Sequence, residues 1–206
     1  MNEERTPRGG VEILPIIGQV EGHYLASDGA KTCRYEQILP RLAEIECRGE
    51  AQGLLVLLNT VGGDLESGLA IGEAIASLSV PTVSLVLGGA HSIASVIAVS
   101  ADFSFAAPTA TLTQHPVRYS GTVLGAPQSW RYLSGMQKRV IAFLSSHSAA
   151  EEGALKELML ARDDMACDLG SVLGGEEAVR LGLIDAIGGL KEAAAELNRR
   201  IKARQS

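Results

Sequence analysis

Apolar residues occur along this chain in two forms, as short unbroken runs and at helical spacing. The first unbroken run is residues 53–59, GLLVLLN, set between turn signals. A run with no polar alternation suits a strand covered on both faces, as at the centre of a parallel sheet. Thr60-Val61-Gly62-Gly63-Asp64 then turns the chain. Leu69, Ile71, Ala74, Ile75 and Leu78 recur mostly on one side of a helix predicted over 65–79, which Pro81 ends. The second run begins with residues 83–87, apolar and β-branched. It turns through Gly88-Gly89-Ala90 and enters an Ala-rich segment, 93–99, that reads as a buried helix. Two strand–turn–helix units thus follow one another, each with Gly-Gly in its turn. That order predicts a right-handed βαβ crossover and a parallel sheet, with both turns at the carboxyl end, where ligands usually sit.

The flanking pattern extends this α/β reading. Residues 11–20 form a strand in which Pro15 and Gly18 allow an edge or a bend. Residues 34–48 form a helix with Ile38, Leu42 and Ile45 on one face and Pro40 at a kink or near its start. Short strands are predicted at 102–105 and 110–113, and a Gly/Pro-containing loop at 116–127. A long helix follows at 128–146, with Tyr132, Met136, Val140 and Phe143 at helical spacing and Trp130 near its start. Further helices fall at 151–162, 174–181 and 191–202, with a strand at 183–187. There is no repeat beyond the two Gly-Gly units and no linker, so 11–206 is expected to be one domain behind a disordered tail, 1–10.

Composition narrows the partners. The chain has 206 residues, 46% hydrophobic and 20% charged, which suits one domain with a real core. A net charge of -6 and no basic run before the C-terminal tail argue against nucleic acid. The N-terminus MNEERTPRGG lacks the apolar core of a signal peptide, and no uninterrupted run reaches the ~18 apolar residues of a membrane span. The 3 cysteines are widely spaced with no CxxC, and the 4 histidines lack metal spacing, so neither a metal nor another cofactor is expected. Reduced cysteines suit a cytoplasmic protein.

Ser92 carries the candidate chemistry. As a bare pattern it is a helix N-cap behind a glycine turn. It also stands where a nucleophile would be presented, between a buried strand and a buried helix. Gly62-Gly63 offers unobstructed backbone N–H groups and Ile93 offers one at a helix start; together they could hold an oxyanion. Neither GxxxxGK[ST] nor GxGxxG is present, which disfavours a phosphate loop. A serine nucleophile needs a base, and His115, in TQHP at the end of a short strand, is the best candidate. His91 adjoins Ser92, but neighbouring side chains diverge at a turn. His23 and His147 lie in segments without a catalytic signal.

Four motifs, in order, then resemble those of the Clp protease proteolytic subunit family. LGGAHSIAS resembles its nucleophile turn and NTVGGDLESGLAIGEAI its N-S-P-G-G turn and helix. QHP resembles its H-Q-P segment, and GGEEAVRLGLIDAIGG its late S-x-x-E-A-x-x-x-G-L-I-D signature. The resemblance spans roughly residues 12–198. HPVR and DLGSVLGGEEAVRLGLID look most like the family's translocation-enhancing branch.

It implies an α/β fold of the Clp/crotonase type, a spiral of ββα units with residues 128–146 as a protruding helix. It implies Ser92 as nucleophile, His115 as general base, and the Gly63 and Ile93 N–H groups as oxyanion hole. The implied activity is a serine endopeptidase acting on peptides or unfolded proteins, assembled as a homo-oligomeric ring, with an ATPase unfoldase as a possible partner.

Three departures stand out. Thr60-Val61 replaces the residues before Gly-Gly. His115 is shifted by one relative to Pro116, so it must sit at a strand end or past a bulge to face Ser92. Counting back from Gly182-Leu183-Ile184-Asp185, the triad aspartate falls on Gly170; Asp168 is the nearest carboxylate and the chosen acid, with Asp163 and Asp164 further off. If Asp168 is not the acid, the triad is a dyad, or an asparagine, a backbone carbonyl or water orients His115. Asp185 belongs to a structural turn. The alternatives are a crotonase-type acyl-CoA enzyme and a non-catalytic scaffold of the same fold.

Overall fold

The computed structural model describes residues 10–23, 29–119, 125–162 and 169–205. Most of the tail expected to be disordered, residues 1–9, lies outside them. Strand β1 (Val11–Ile17) is followed by β2 (Gln19–Glu21), β3 (Thr32–Arg34) and helix α1 (Tyr35–Arg48). Next come β4 (Gly53–Thr60), α2 (Leu65–Ala76), β5 (Thr82–His91), α3 (Ala94–Val99), β6 (Phe103–Ala106) and β7 (Thr111–Gln114). The chain continues through α4 (Ala126–Ser146), α5 (Glu152–Leu160), β8 (Ser171–Gly174), α6 (Gly175–Arg180), β9 (Ala186–Ile187) and α7 (Leu190–Gln205).

The sheet order β1-β4-β5-β6-β9 puts the two apolar runs at the centre. All pairings in that path are parallel. The central strands are covered on both faces, which is why their apolar residues do not alternate. On one face Leu54, Val56, Leu58 and Val86 share a core with Ile71, Ile75 and Ile97. On the other, Leu55, Val83 and Leu85 pack with Ala193, Leu197 and Ile201 of α7.

The structure differs from the sequence pattern at five places. Residues 11–20 are two strands, because Gly18 adopts φ 89° and breaks the run. A Cβ there would stand 2.4 Å from the Lys31 carbonyl oxygen. Strand β2 then leaves the main sheet and pairs with β3.

The second Gly-Gly is not a turn. Strand β5 continues through Gly88-Gly89-Ala90 to His91. Its ladder to β4 slips between the pairs Leu58↔Val86 and Thr60↔Ala90. At that slip the Asn59 side chain accepts the Gly89 N–H at 3.1 Å. A Cβ on Gly88 would lie 2.6 Å from the same oxygen, so the glycine makes room for a side chain rather than for a turn.

The helix expected to run to 79 stops at Ala76. Residues 171–174, at the edge of the last predicted short helix, form β8, antiparallel to β7. The strand at 183–187 shrinks to Ala186–Ile187. There the Leu183 and Ile184 N–H groups return to the Ala178 carbonyl, at 2.9 and 3.2 Å, and the apolar pair closes the end of α6 instead.

Helix α4 begins at Ala126 and buries Met136, Val140, Ile141, Phe143 and Leu144. Its first turn is exposed, as is Trp130, at 73%. This is the protruding helix expected from the resemblance. No helix among the described residues is long and apolar enough to cross a membrane.

Helices α2 and α3 touch through glycine. A Cβ on Gly68 would meet Ile93 Cγ1 at 2.3 Å. Gly68→Ala should gain about 1 kcal/mol of helix propensity but lose about 1–3 kcal/mol to overpacking. The expected result is a lower urea midpoint than wild type at unchanged m-value; a higher midpoint would show that Ile93 yields freely.

Candidate active site

Three parallel strands end side by side, and each end delivers one part of the site. Gly62 and Gly63 follow β4, Ser92 follows β5 and His115 follows β7, which pairs with the last residues of β5.

Ser92 holds a left-handed backbone, φ 58°, the one non-glycine residue with positive φ among those described. Such a conformation costs roughly 1–2 kcal/mol and persists only where neighbours enforce it. Two neighbours do so. Its N–H donates to the Thr113 carbonyl at 2.8 Å. Its other side packs on Gly62, where a Cβ would lie 2.9 Å from Ser92 Cβ and 2.4 Å from the His91 carbonyl oxygen. Ser92 is not a side-chain cap of α3, which has no side-chain hydrogen bond at its start.

Gly63 is strapped by β2. The Val20 N–H donates to the Gly62 carbonyl at 2.8 Å and the Asp64 N–H donates to the Val20 carbonyl at 2.9 Å. A Cβ on Gly63 would lie 2.1 Å from the Val20 oxygen. This leaves the Gly63 N–H without an acceptor among the described residues, and the Ile93 N–H is likewise unbound. Both residues line one cavity of about 460 Å³ with Ser92 and His115.

His115 sits just past the end of β7, as its shifted position requires. Its Nδ1 lies 2.7 Å from the Pro116 carbonyl oxygen. A carbonyl only accepts, so Nδ1 carries the proton and Nε2 is the basic nitrogen of the neutral ring. No hydrogen bond joins His115 to Ser92 among the described residues.

Asp168, Asp163 and Asp164 lie outside the described residues. The β7–β8 ladder ends at Gln114↔Ser171, so His115 and Gly170, the position reached by counting back along the sequence, are the next residues beyond it on the two strands. Asp185 is engaged elsewhere, its Oδ2 accepting from the Ser104 N–H and hydroxyl, each at 2.7 Å. No group of three His, Cys, Asp or Glu side chains converges as a metal site among the described residues.

Sequence reasoning missed Thr113 and Gln114. Thr113 holds the Ser92 turn twice, through its carbonyl and through its hydroxyl, 2.8 Å from His91 Nδ1. Gln114 is buried and donates from Nε2 to Ser95 Oγ at 2.6 Å. Alternation in TLTQ was the available signal: it puts Gln114 on the face of buried Leu112.

The chain belongs to the Clp protease family, whose model, described as Clp protease, matches residues 22–191. It is 45% identical over 204 residues to "Translocation-enhancing protein TepA" of Halalkalibacterium halodurans, covering 99% of this chain and 80% of that protein. It is 24% identical over 171 residues to "ATP-dependent Clp protease proteolytic subunit 1" of Protochlamydia amoebophila, covering 78% of this chain and 77% of that one. The same identity holds over 153 residues with the equally named subunit of Chlamydia muridarum.

Burial pushes the His91 pKa below its ordinary 6.5. The folded chain therefore binds that proton less well than the unfolded chain. The stability His91 contributes is complete above about pH 6.5 and is lost as pH falls from there toward the lowered value. Urea midpoints measured from pH 7.5 to 5.0 should fall less steeply for His91→Gln than for wild type; parallel slopes would exclude His91 as the titrating group.

Proposed function

We propose that this protein is a serine endopeptidase that cleaves peptides or unfolded polypeptides. The observation that carries the reading is the pair of unbound N–H groups, on Gly63 and Ile93, flanking a serine held at φ 58° in the cavity His115 also lines. Family membership supports it, and fold alone would not define an activity.

In this reading Ser92 Oγ attacks the substrate carbonyl carbon while His115 Nε2 takes the hydroxyl proton. The carbonyl oxygen becomes an oxyanion and receives the Gly63 and Ile93 N–H groups. Both donors are placed before the charge develops, so little reorganisation is required. The imidazolium then returns its proton to the leaving amine. Water, deprotonated by the same nitrogen, releases the acyl group from Ser92. Asp168 is the acid assigned to Nδ1. The Pro116 carbonyl holds that proton in this structure and keeps the same tautomer.

The reading extends to assembly. Trp130 stands exposed near the start of α4, and we assign that end to contacts between copies of the chain in a homo-oligomeric ring. An ATPase unfoldase is the partner proposed for delivering folded substrates. Free Cys33 and Cys47 support a cytoplasmic location. A non-catalytic scaffold is the competing reading, favoured by the missing Ser92–His115 hydrogen bond. Such bonds are often long before substrate binds.

A fluorophosphonate probe separates the two. Mass spectrometry should locate one adduct on Ser92 of the folded protein, none on Ser92→Ala, and labelling slowed about 10²–10⁴-fold in His115→Ala. An unlabelled Ser92 in folded wild-type protein would sink the peptidase reading.

Asp168→Asn tests the acid. Loss of roughly 10⁴ in kcat is expected of a triad aspartate. A change of less than about threefold would instead leave the Pro116 carbonyl as the group that orients His115.

A further inference from the structure

His115 is held by its own backbone. Its Nδ1 proton goes to the carbonyl of the next residue, Pro116, at 2.7 Å. Such a carbonyl can orient a ring only if its own peptide plane is fixed. Residues 115–118 belong to no helix or strand, so no ladder of hydrogen bonds fixes that plane.

Helix α4 fixes it instead. The Val117 N–H, which belongs to the same peptide unit as the Pro116 carbonyl, donates to Gln137 Oε1 at 2.7 Å. A backbone N–H can only donate, so the Gln137 amide has one orientation: Oε1 faces Val117 and Nε2 occupies the other arm. That Nε2 donates to Met159 Sδ of α5 at 2.7 Å. Met159 is buried, 3% exposed, and α4 is anchored on either side of Gln137 by buried Met136, Val140 and Ile141. The amide is thus held at both arms by packed helices.

No peptide bond among the described residues is cis. In a trans unit the C=O and N–H point in opposite directions. Gln137 therefore grips the Pro116–Val117 plane from one side while His115 grips it from the other. Any rotation of the plane that freed the N–H would also carry the carbonyl away from His115 Nδ1.

We propose that Gln137 is a positioning residue for His115: through the Pro116–Val117 peptide it holds the ring with its proton on Nδ1 and leaves Nε2 as the base. This rests on the reading of His115 as the general base for Ser92. Which ring nitrogen is basic is set by the hydrogen bond the other one makes, and here that bond is made to a neutral carbonyl whose direction α4 dictates.

Histidine-selective 15N NMR of the neutral ring reads the tautomer, and His115→Gln identifies the His115 signals by removing them. Wild type should carry the proton on Nδ1. In Gln137→Leu, which keeps a good helix former but has no acceptor, the ring should distribute between both tautomers. Fluorophosphonate labelling of Ser92 in that variant should slow roughly 3- to 50-fold, since the productive plane would leave the Val117 N–H without a partner. Gln137→Glu keeps an oxygen there and should recover most of the rate and the Nδ1 tautomer. A merely structural role would lower the urea midpoint and leave the tautomer unchanged.

A wild-type ring protonated on Nε2 overturns the proposal, whatever the variants do. So does a folded Gln137→Leu that keeps the wild-type tautomer or labels within about threefold of wild type, the outcome expected if Asp168 takes the Nδ1 proton in the working site. A Gln137→Glu that labels no faster than Gln137→Leu overturns it too. Gln137→Ala, the strongest helix former, replaces Gln137→Leu should the latter fail to fold. Failure of Ser92 to label in wild type would instead remove the peptidase reading itself, so the two failures are distinguishable.

Discussion

The Ser92 N–H to Thr113 carbonyl hydrogen bond is the constraint on which the site depends. It extends the β5–β7 pairing, which runs from Gly89↔Thr111 to His91↔Thr113, by one residue past the end of β5. That residue cannot continue as a strand because α3 begins at Ala94, so the chain must reverse within two residues. The left-handed Ser92 backbone is what this reversal requires. It turns the next N–H, that of Ile93, away from the ladder, where nothing among the described residues takes it. Without the bond, Ser92 would relax to an ordinary backbone and the Ile93 N–H would swing with it.

Room for the reversal comes from glycines whose uses differ. Gly62 lets the Ser92 turn approach the β4 loop, and Gly63 lets β2 cross over that loop. Gly68 lets α2 lie against Ile93, so the helix that follows the first loop buttresses the residue that follows Ser92. Gly88 accommodates Asn59, whose amide oxygen repairs the interrupted β4–β5 ladder. The two loops thus set each other's position by close packing, and the distance between the two free N–H groups is a property of both strands at once.

Polar groups near the site are shared out with little left over. Asp64 caps α2 and Asp185 joins β6 to the turn before β9. Such fully satisfied groups stiffen the frame around Ser92. Against that background, the unbound N–H groups of Gly63 and Ile93 stand out as groups prepared for a ligand. The fold and the family define what kind of frame this is; these open valences define where a substrate could be held.

Much of the frame was legible from residue pattern alone. Unbroken apolar runs at 53–59 and 83–87 could be buried only in the middle of a covered sheet, and their order with two amphipathic helices required parallel strands. Ser92, Gly63, Ile93 and His115 were legible as candidates because turns after buried strands meet at one end of such a sheet. Sequence alone did not determine which turn was real. Gly88-Gly89 reads locally as a break, and only the Asn59 side chain from a strand 30 residues away makes it part of a continuous strand. Nor could it show that buried Gln114 meets Ser95, a contact between β7 and α3. Local pattern reports burial and turns, whereas packing partners belong to residues distant along the chain, and tertiary structure alone brings these together.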